Sequence, residues 1–295
     1  MAADTPMSQA VRLGAAADAL AALAAHLRLE TERLPADPAV RAVLADVAAE
    51  LVGGDVGGAG AAPVVGLART VLRQAAELVE NPGRAGGWDQ VDSPLLQSIG
   101  RLSMGIADAV RSAEDVLPGL ADALHRPDAE LLDVGTGTGW LAIALARAYP
   151  GLRITGIDVF APALELARAN VADAGLTDRI DLRLQDAAEL DEAGAFDVVW
   201  LPMPFLPATV VPGVVAAACR SLRPGGWLLP GTFAGPPDRL GQLLTDLRTV
   251  RSGGHPWRPD ELLAVLDGSG LTDVTEVPRT WAAPVRLHAG RRGGS

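Results

Sequence analysis

The stretch from Leu131 to Phe160, LLDVGTGTGWLAIALARAYPGLRITGIDVF, constrains the fold more than any other part of the chain. It reads as an apolar strand, a glycine turn, a helix, and a second strand that ends on an acid, Asp158. Two strands joined through a helix run parallel, and parallel sheets are covered by helices on both faces. Glycines at 135, 137 and 139 let the backbone turn sharply off the first strand and let a ligand approach without meeting a Cβ. The helix that follows starts with backbone N–H groups that have no partner inside the helix. A tight strand-to-helix turn would use glycines in the same way, so the turn needs further features before it signals a ligand.

The alternation continues to the C-terminus. Strands are expected at AELLDVG, RITGIDV, IDLRLQD, FDVVWLP and GGWLLPGTF, with helices at GWLAIALARAY, APALELARANVADAG and VVPGVVAAACRSL between them. A last helix, RPDELLAVLDGSG, precedes two terminal strands in LTDVTEVPRT and APVRLHAG. The first 125 residues instead show helical periodicity. Asp37 and Pro38 open one helix that Gly53 and Gly54 close; DVGGAGAAPVVG reads as a flexible connector; LARTVLRQAAELVENPG is a second helix. Ser93 and Pro94 start a further run with a break near Pro118. The expected organisation is therefore α/β: an all-helical region 1–125, a Rossmann-like core 126–290 and a disordered tail 291–295.

The ligand question turns on spacing. G-x-G-x-G differs from the G-x-G-x-x-G on which a dinucleotide pyrophosphate rests. Asp133 stands two residues before the first glycine, and Asp158 lies 19 residues beyond Gly139, placed to accept hydrogen bonds from ribose hydroxyls. NAD and S-adenosylmethionine (SAM) sites both put an acid there. After the third strand, LQDAAEL offers Asp186 and the backbone of Ala187 to the edge of an adenine. With LLDVGTGTG, ITGIDV, LQDA and FDVVWLPMPF in order, and LRPGGWLL as context, the chain resembles the class I SAM-dependent methyltransferases over roughly residues 125 to 290. That resemblance implies a seven-stranded, mostly parallel sheet with an antiparallel last strand inserted beside the fifth. It also implies SAM as cofactor. Asp133, Gly135, Thr136, Gly137 and Gly139 would surround its methionine part and Asp158 its ribose. Val159 and Phe160 would contact the adenine face, Asp186 and Ala187 its edge, and Leu201 and Pro202 the amino group and reacting methyl.

Methyl transfer is an in-line displacement in which alignment supplies much of the acceleration, so no obligatory catalytic constellation need appear. The segment LPMPFLP lies where the methyl would emerge. Nucleic-acid and protein-amide N-methyltransferases resemble one another here through Asn or Asp, then Pro-Pro and an aromatic. Leu201 replaces that polar residue, so a small, fairly apolar acceptor is expected, with Met203 and Phe205 at its pocket. Oxygen is preferred over nitrogen and carbon as the accepting atom. No carboxylate or histidine cluster with ligand spacing follows the fourth strand, and no metal is expected. A phenol or acid acceptor would want a general base, and His255, on a glycine-rich loop after the fifth strand's helix, is the candidate. Trp88, with Gln97, Arg101 and Met104 at helical spacing, is expected to close over the cofactor and line the acceptor pocket.

Bulk properties narrow the partners. The net charge is −11 and the chain has no lysine, which removes Schiff-base and P-loop lysine chemistry and argues against nucleic acid. The single cysteine, Cys219, excludes an internal disulfide and fits a cytoplasmic protein. It sits in an apolar helix, as a small hydrophobe would. Asp18 interrupts the Ala-rich segment near the start, no run reads as a membrane span, and that segment is expected as a helix. Pairing of two copies through the front helices is compatible with their apolar content. A SAM-binding protein without catalysis is the alternative from another class. An NAD-dependent oxidoreductase is disfavoured by the glycine spacing and by the lack of a Tyr-Lys or His-based hydride site.

Overall fold

The alternating segment folds into a single sheet among the described residues, which are 5–53, 61–88 and 92–294 of this computed structural model. Its strands are β1 (Glu130–Val134), β2 (Arg153–Asp158), β3 (Ile180–Leu184), β4 (Phe196–Pro202), β5 (Leu222–Phe233), β6 (Leu271–Glu276) and β7 (Val285–Arg292). They lie in the order β3-β2-β1-β4-β5-β7-β6. The first five are parallel, and β7 runs antiparallel between β5 and β6, as the resemblance implied. Strand order reverses at β1, which pairs with β2 on one side and β4 on the other. At such a switch point the connections leave in opposite directions and open a crevice beyond the strands' carboxyl ends.

Alternation along the strands divides the core between two faces. Leu131, Val198, Trp227 and Leu229 turn to the face covered by α5 (Ile106–Ala113), α6 (Leu120–His125) and α7 (Trp140–Ala148). Leu132, Val199 and Leu228 turn to the face covered by α9 (Val211–Ser221) and α11 (Pro259–Asp267). β4 is buried along its whole length, which is why FDVVWLP is apolar apart from Asp197, whose carboxylate pairs with Arg126 and Arg223. Helix α8 (Ala161–Asp173) joins β2 to β3, and α10 (Arg239–Arg251) follows β5.

The chain divides into two compact units, Met1–Gly83 and Arg84–Ser295. In the first, α1 (Pro6–Thr31) packs on α2 (Pro38–Val52) and, through Ala24, Leu27, Ala61, Val65 and Ala68, on α3 (Ala61–Glu80). Asp37 caps α2 as its sequence suggests, accepting from the Ala39 and Val40 amides at 2.8 and 3.2 Å, and Gly53 ends it at φ +70°. Helix α4 (Ser93–Ser103), α5 and α6 cluster with the sheet in the second unit.

Several local expectations change. Residues 61–66 of the presumed connector are the first turns of α3, while 54–60 lie outside the described residues. Asp92, not Ser93, occupies the N-cap position of α4. The run that follows breaks twice. The first break is at Gly105, where a Cβ would sit 3.0 Å from the Ala283 Cβ. The second is at Gly119, whose φ of +81° suits a residue without a side chain. β7 continues through Arg291 and Arg292, so the tail expected at 291–295 is strand at its start, and Ser295 lies outside the described residues. Finally, α1 is long and apolar enough to cross a membrane by length and composition, with a mean hydropathy of 1.3 over its best window, although charged residues interrupt the sequence.

Candidate functional site

The glycine loop leaves β1 at the switch point and is held there by main-chain bonds. Gly135, Gly137 and Gly139 adopt φ of +63°, +56° and +78°, in the left-handed region that side chains with a Cβ avoid. The Thr136 amide donates to the Ile157 carbonyl at 3.0 Å, which ties the loop to β2. A Cβ on Gly135 would come within 2.9 Å of the Pro202 ring, so the loop passes directly beside the end of β4. One on Gly139 would meet Ala167 of α8 at 3.2 Å.

Two carboxylates complete this arrangement. Asp158, at the end of β2, accepts from the Gly137 amide on Oδ2 and from the Phe160 amide on Oδ1, each at 2.8 Å. Its carboxylate fixes the loop to β2, yet each oxygen retains a second lone pair for another donor. Burial raises its pKa, and the backbone bonds oppose that rise. Asp133 is 1% exposed within β1 and accepts from the Thr136 hydroxyl at 2.7 Å. Burial pushes its pKa up to about 7, the Thr136 bond works against this, and the nearby Asp158 charge adds to it.

The other candidates fall along the same strand ends. Val159 is exposed and Phe160 half-buried at the start of α8. Asp186 caps a 3-10 turn, Ala187–Glu189, by accepting from the Ala188 amide at 2.8 Å, and Ala187 is buried beneath it. Leu201, Pro202 and Met203 are buried at the end of β4, and the 3-10 turn Met203–Phe205 follows.

Aromatic rings from three separate segments meet beside that turn. Trp88 packs edge-on against Phe205 with centroids 4.8 Å apart, and Phe205 against Phe233 at 5.8 Å. The Gly254 loop presses on the turn so closely that a Cβ there would lie 2.2 Å from the Pro204 carbonyl oxygen. That contact brings His255 to this side of the sheet, where it packs edge-on against Trp257 at 4.7 Å.

Gln97 is half-buried and Arg101 exposed, and both engage Trp140. Gln97 accepts from the Trp140 indole at 2.6 Å and donates to Asn170 at 3.0 Å, while the Arg101 guanidinium lies 5.1 Å above the Trp140 ring. Asn170 in turn donates to the Thr138 carbonyl at 2.8 Å. Helix α4 therefore packs over the glycine loop, with Met104 half-buried at its C-terminal end. Gly100 makes this possible, since a Cβ there would lie 1.9 Å from the Thr138 hydroxyl oxygen. Gly100, Thr138, Trp140 and Asn170 were not among the residues the sequence nominated. An isolated glycine inside a helical pattern was the available signal for the first of them. Among the described residues, no group of three or more His, Cys, Asp or Glu side chains is placed to hold a metal ion. Cys219 is half-buried in α9 and burial raises its pKa, which favours the unreactive thiol.

Comparison with known proteins fits this geometry. Residues 131–226 match the family model described as a methyltransferase domain. A release factor glutamine methyltransferase from Rhodopirellula baltica is 33% identical over 132 residues, 44% of this chain and 44% of that protein. A nocamycin O-methyltransferase from Saccharothrix syringae is 39% identical over 175 residues, 52% of this chain and 62% of that protein. The chain thus spans less than two thirds of the length of either relative. In fold, it is similar over 99% of its length to all of an O-methyltransferase family protein from Burkholderia thailandensis, with a TM-score of 0.67 and 19% identity.

Proposed function

We propose that this chain, which carries a class I SAM-dependent methyltransferase domain, transfers a methyl group from SAM to an oxygen of a small molecule without a metal ion. One observation carries the reading. The left-handed glycine loop, anchored by Asp158, meets the apolar end of β4 at the sheet's switch point. The residues present suit SAM: glycine where the loop passes Pro202, an acid at the end of β2 with lone pairs to spare, and a buried carboxyl at the end of β1.

In this reading Asp158 accepts from the ribose hydroxyls, and Asp133 lies toward the methionine end with Gly135, Thr136, Gly137 and Gly139. Val159 and Phe160 flank the adenine, and Asp186 and Ala187 meet its edge. Bound SAM supplies a sulfonium-activated methyl group. Leu201, Pro202 and Met203 keep the transfer path free of water and offer no polar side chain to an amide nitrogen. Trp88 and Phe205 orient the acceptor, and His255 takes its proton. Orientation of this kind lowers a barrier by about 7–11 kcal/mol in well-aligned reactions.

The relative named for glutamine methylation supplies a competing acceptor, a peptide amide. Incubation with methyl-labelled SAM, against a panel of phenols and carboxylic acids and against a glutamine-containing peptide, separates the two. Label in a small molecule alone is expected. Label in the peptide alone would overturn the acceptor assignment.

A further inference from the structure

A buried histidine and a half-buried tryptophan whose N–H is buried, neither with a role in the reading above, line the same pocket, between β5 and β7 of the sheet and α10. His288, on β7, is 1% exposed; neither its Nδ1 nor its Nε2 makes a hydrogen bond of good geometry, although the Pro230 backbone on β5 is near enough to oppose the lowering of its pKa by burial. The Trp257 Nε1 is also buried without a hydrogen-bond partner. Burying such a group unsatisfied is costly, and native proteins leave few of them. Two on one pocket wall indicate an occupant that completes them.

The wall's chemistry selects that occupant. Trp257 can only donate, and Arg258 and Arg286 add guanidinium donors. Arg286 makes a 3.5 Å contact to Glu276, which leaves most of its five N–H donors uncommitted. The sole acid on the wall, Asp246, is already engaged by Arg258 at 2.9 Å and by Gln242 at 2.8 Å. Burial lowers the His288 pKa, so its neutral ring presents one donor and one acceptor. The pocket therefore has a surplus of hydrogen-bond donors, although each guanidinium also faces a carboxylate, Arg258 that of Asp246 and Arg286 that of Glu276. Phe233 and Trp257 supply aromatic walls, and Pro204 is shared with the turn that follows the proposed methyl-transfer position.

We propose that this pocket anchors the acceptor through an anionic oxygen group, and that the acceptor is an aromatic carboxylate held by Trp257, Arg286 and His288. The inference rests on the methyltransferase reading for the word acceptor and on the pocket alone for the ligand class.

The test is calorimetric titration of the full chain, saturated with S-adenosylhomocysteine (SAH), with 4-hydroxybenzoate and with phenol as the probe lacking a carboxylate. 4-Hydroxybenzoate is expected to bind at least about tenfold more tightly than phenol. Trp257→Phe, which removes one N–H and keeps the ring, should weaken it about fivefold to tenfold. Arg286→Met should do the same, and both should leave SAH affinity unchanged. In the wild type, 15N shifts of the His288 ring should move on addition of 4-hydroxybenzoate and stay still with phenol. Equal affinity for the two probes, no binding of either, or variants without effect would overturn the proposal. If SAH does not bind while 4-hydroxybenzoate still binds in a Trp257-dependent way, the ligand class stands and the acceptor assignment falls with the methyltransferase reading.

Discussion

At the ends of β1 and β2, a loop of three left-handed glycines is held by Asp158 through main-chain amides and by Asp133 through the Thr136 hydroxyl; at the ends of β4 and β5, the walls are rings of Trp88, Phe205 and Phe233 from three distant segments. In the proposed reading the first half recognises the cofactor through backbone geometry, which tolerates few residue types. The second half, in that reading, recognises the acceptor through shape and through donors scattered along the chain, which many combinations could provide. Substitutions in the first half should therefore act on cofactor affinity, and those in the second on acceptor affinity.

The strongest challenge to that division is Asp158→Ala. It removes the acceptor for the Gly137 and Phe160 amides together with the proposed ribose contacts. Two charge-assisted bonds at roughly 1.5 kcal/mol each correspond to about a hundredfold loss of SAH affinity, readable by calorimetry. Acceptor affinity, measured by direct binding, should change far less.

Gly135→Ala should follow, with about a tenfold loss of SAH affinity and a lower melting temperature. It combines a φ of +63° with a Cβ 2.9 Å from Pro202. Gly137→Ala sharpens the comparison, because its φ is +56° but a Cβ there would come no nearer than 3.9 Å to any atom beyond its chain neighbours. It should cost less by the strain of the contact alone.

Asp133 makes the cofactor half sensitive to pH. With a pKa of about 7, its carboxyl ionises as pH rises, and in the proposed reading the ionised form attracts the ammonium of SAH. Affinity should rise about fivefold from pH 6 to 7 and about twofold more by pH 8, and Asp133→Asn should flatten that profile. The stability of the free protein carries the opposite sign. The folded pKa lies above the ordinary value of 3.8, so the unfolded chain ionises first and stability falls as pH rises through that window. Above about pH 7 this contribution is constant, and chemical denaturation at several pH values, with Asp133→Asn as control, checks it.

The smallest effect is expected from Trp88→Ala. Losing the edge-on contact with Phe205 should weaken acceptor binding by about threefold and leave SAH affinity within about twofold. A larger loss for SAH than for the acceptor would place Trp88 with the cofactor and blur the division.

The two halves also differ in how far they could be read from sequence. Gly135, Gly137, Gly139 and Asp158 stand in one short segment, and each is required by a local constraint that a spacing expresses. A parallel sheet covered on both faces followed from the alternating pattern, and the antiparallel β7 beside β5 from the resemblance that the motifs carry. Phe233, Trp257 and His288 meet only through the tertiary fold, so no periodicity announces them. Gln97 and Arg101 were legible as one helical face, but not as partners of Trp140, because that contact joins α4 to α7. The break at Gly105 was hidden for a similar reason: it depends on how near Ala283 comes.

The central claim is that the loop between β1 and α7 is a SAM site. Calorimetric titration of the purified chain with SAH, and with NAD in parallel, tests it most directly. Saturable binding of SAH with no heat from NAD is the predicted result. Binding of NAD alone, or of neither molecule, would contradict it.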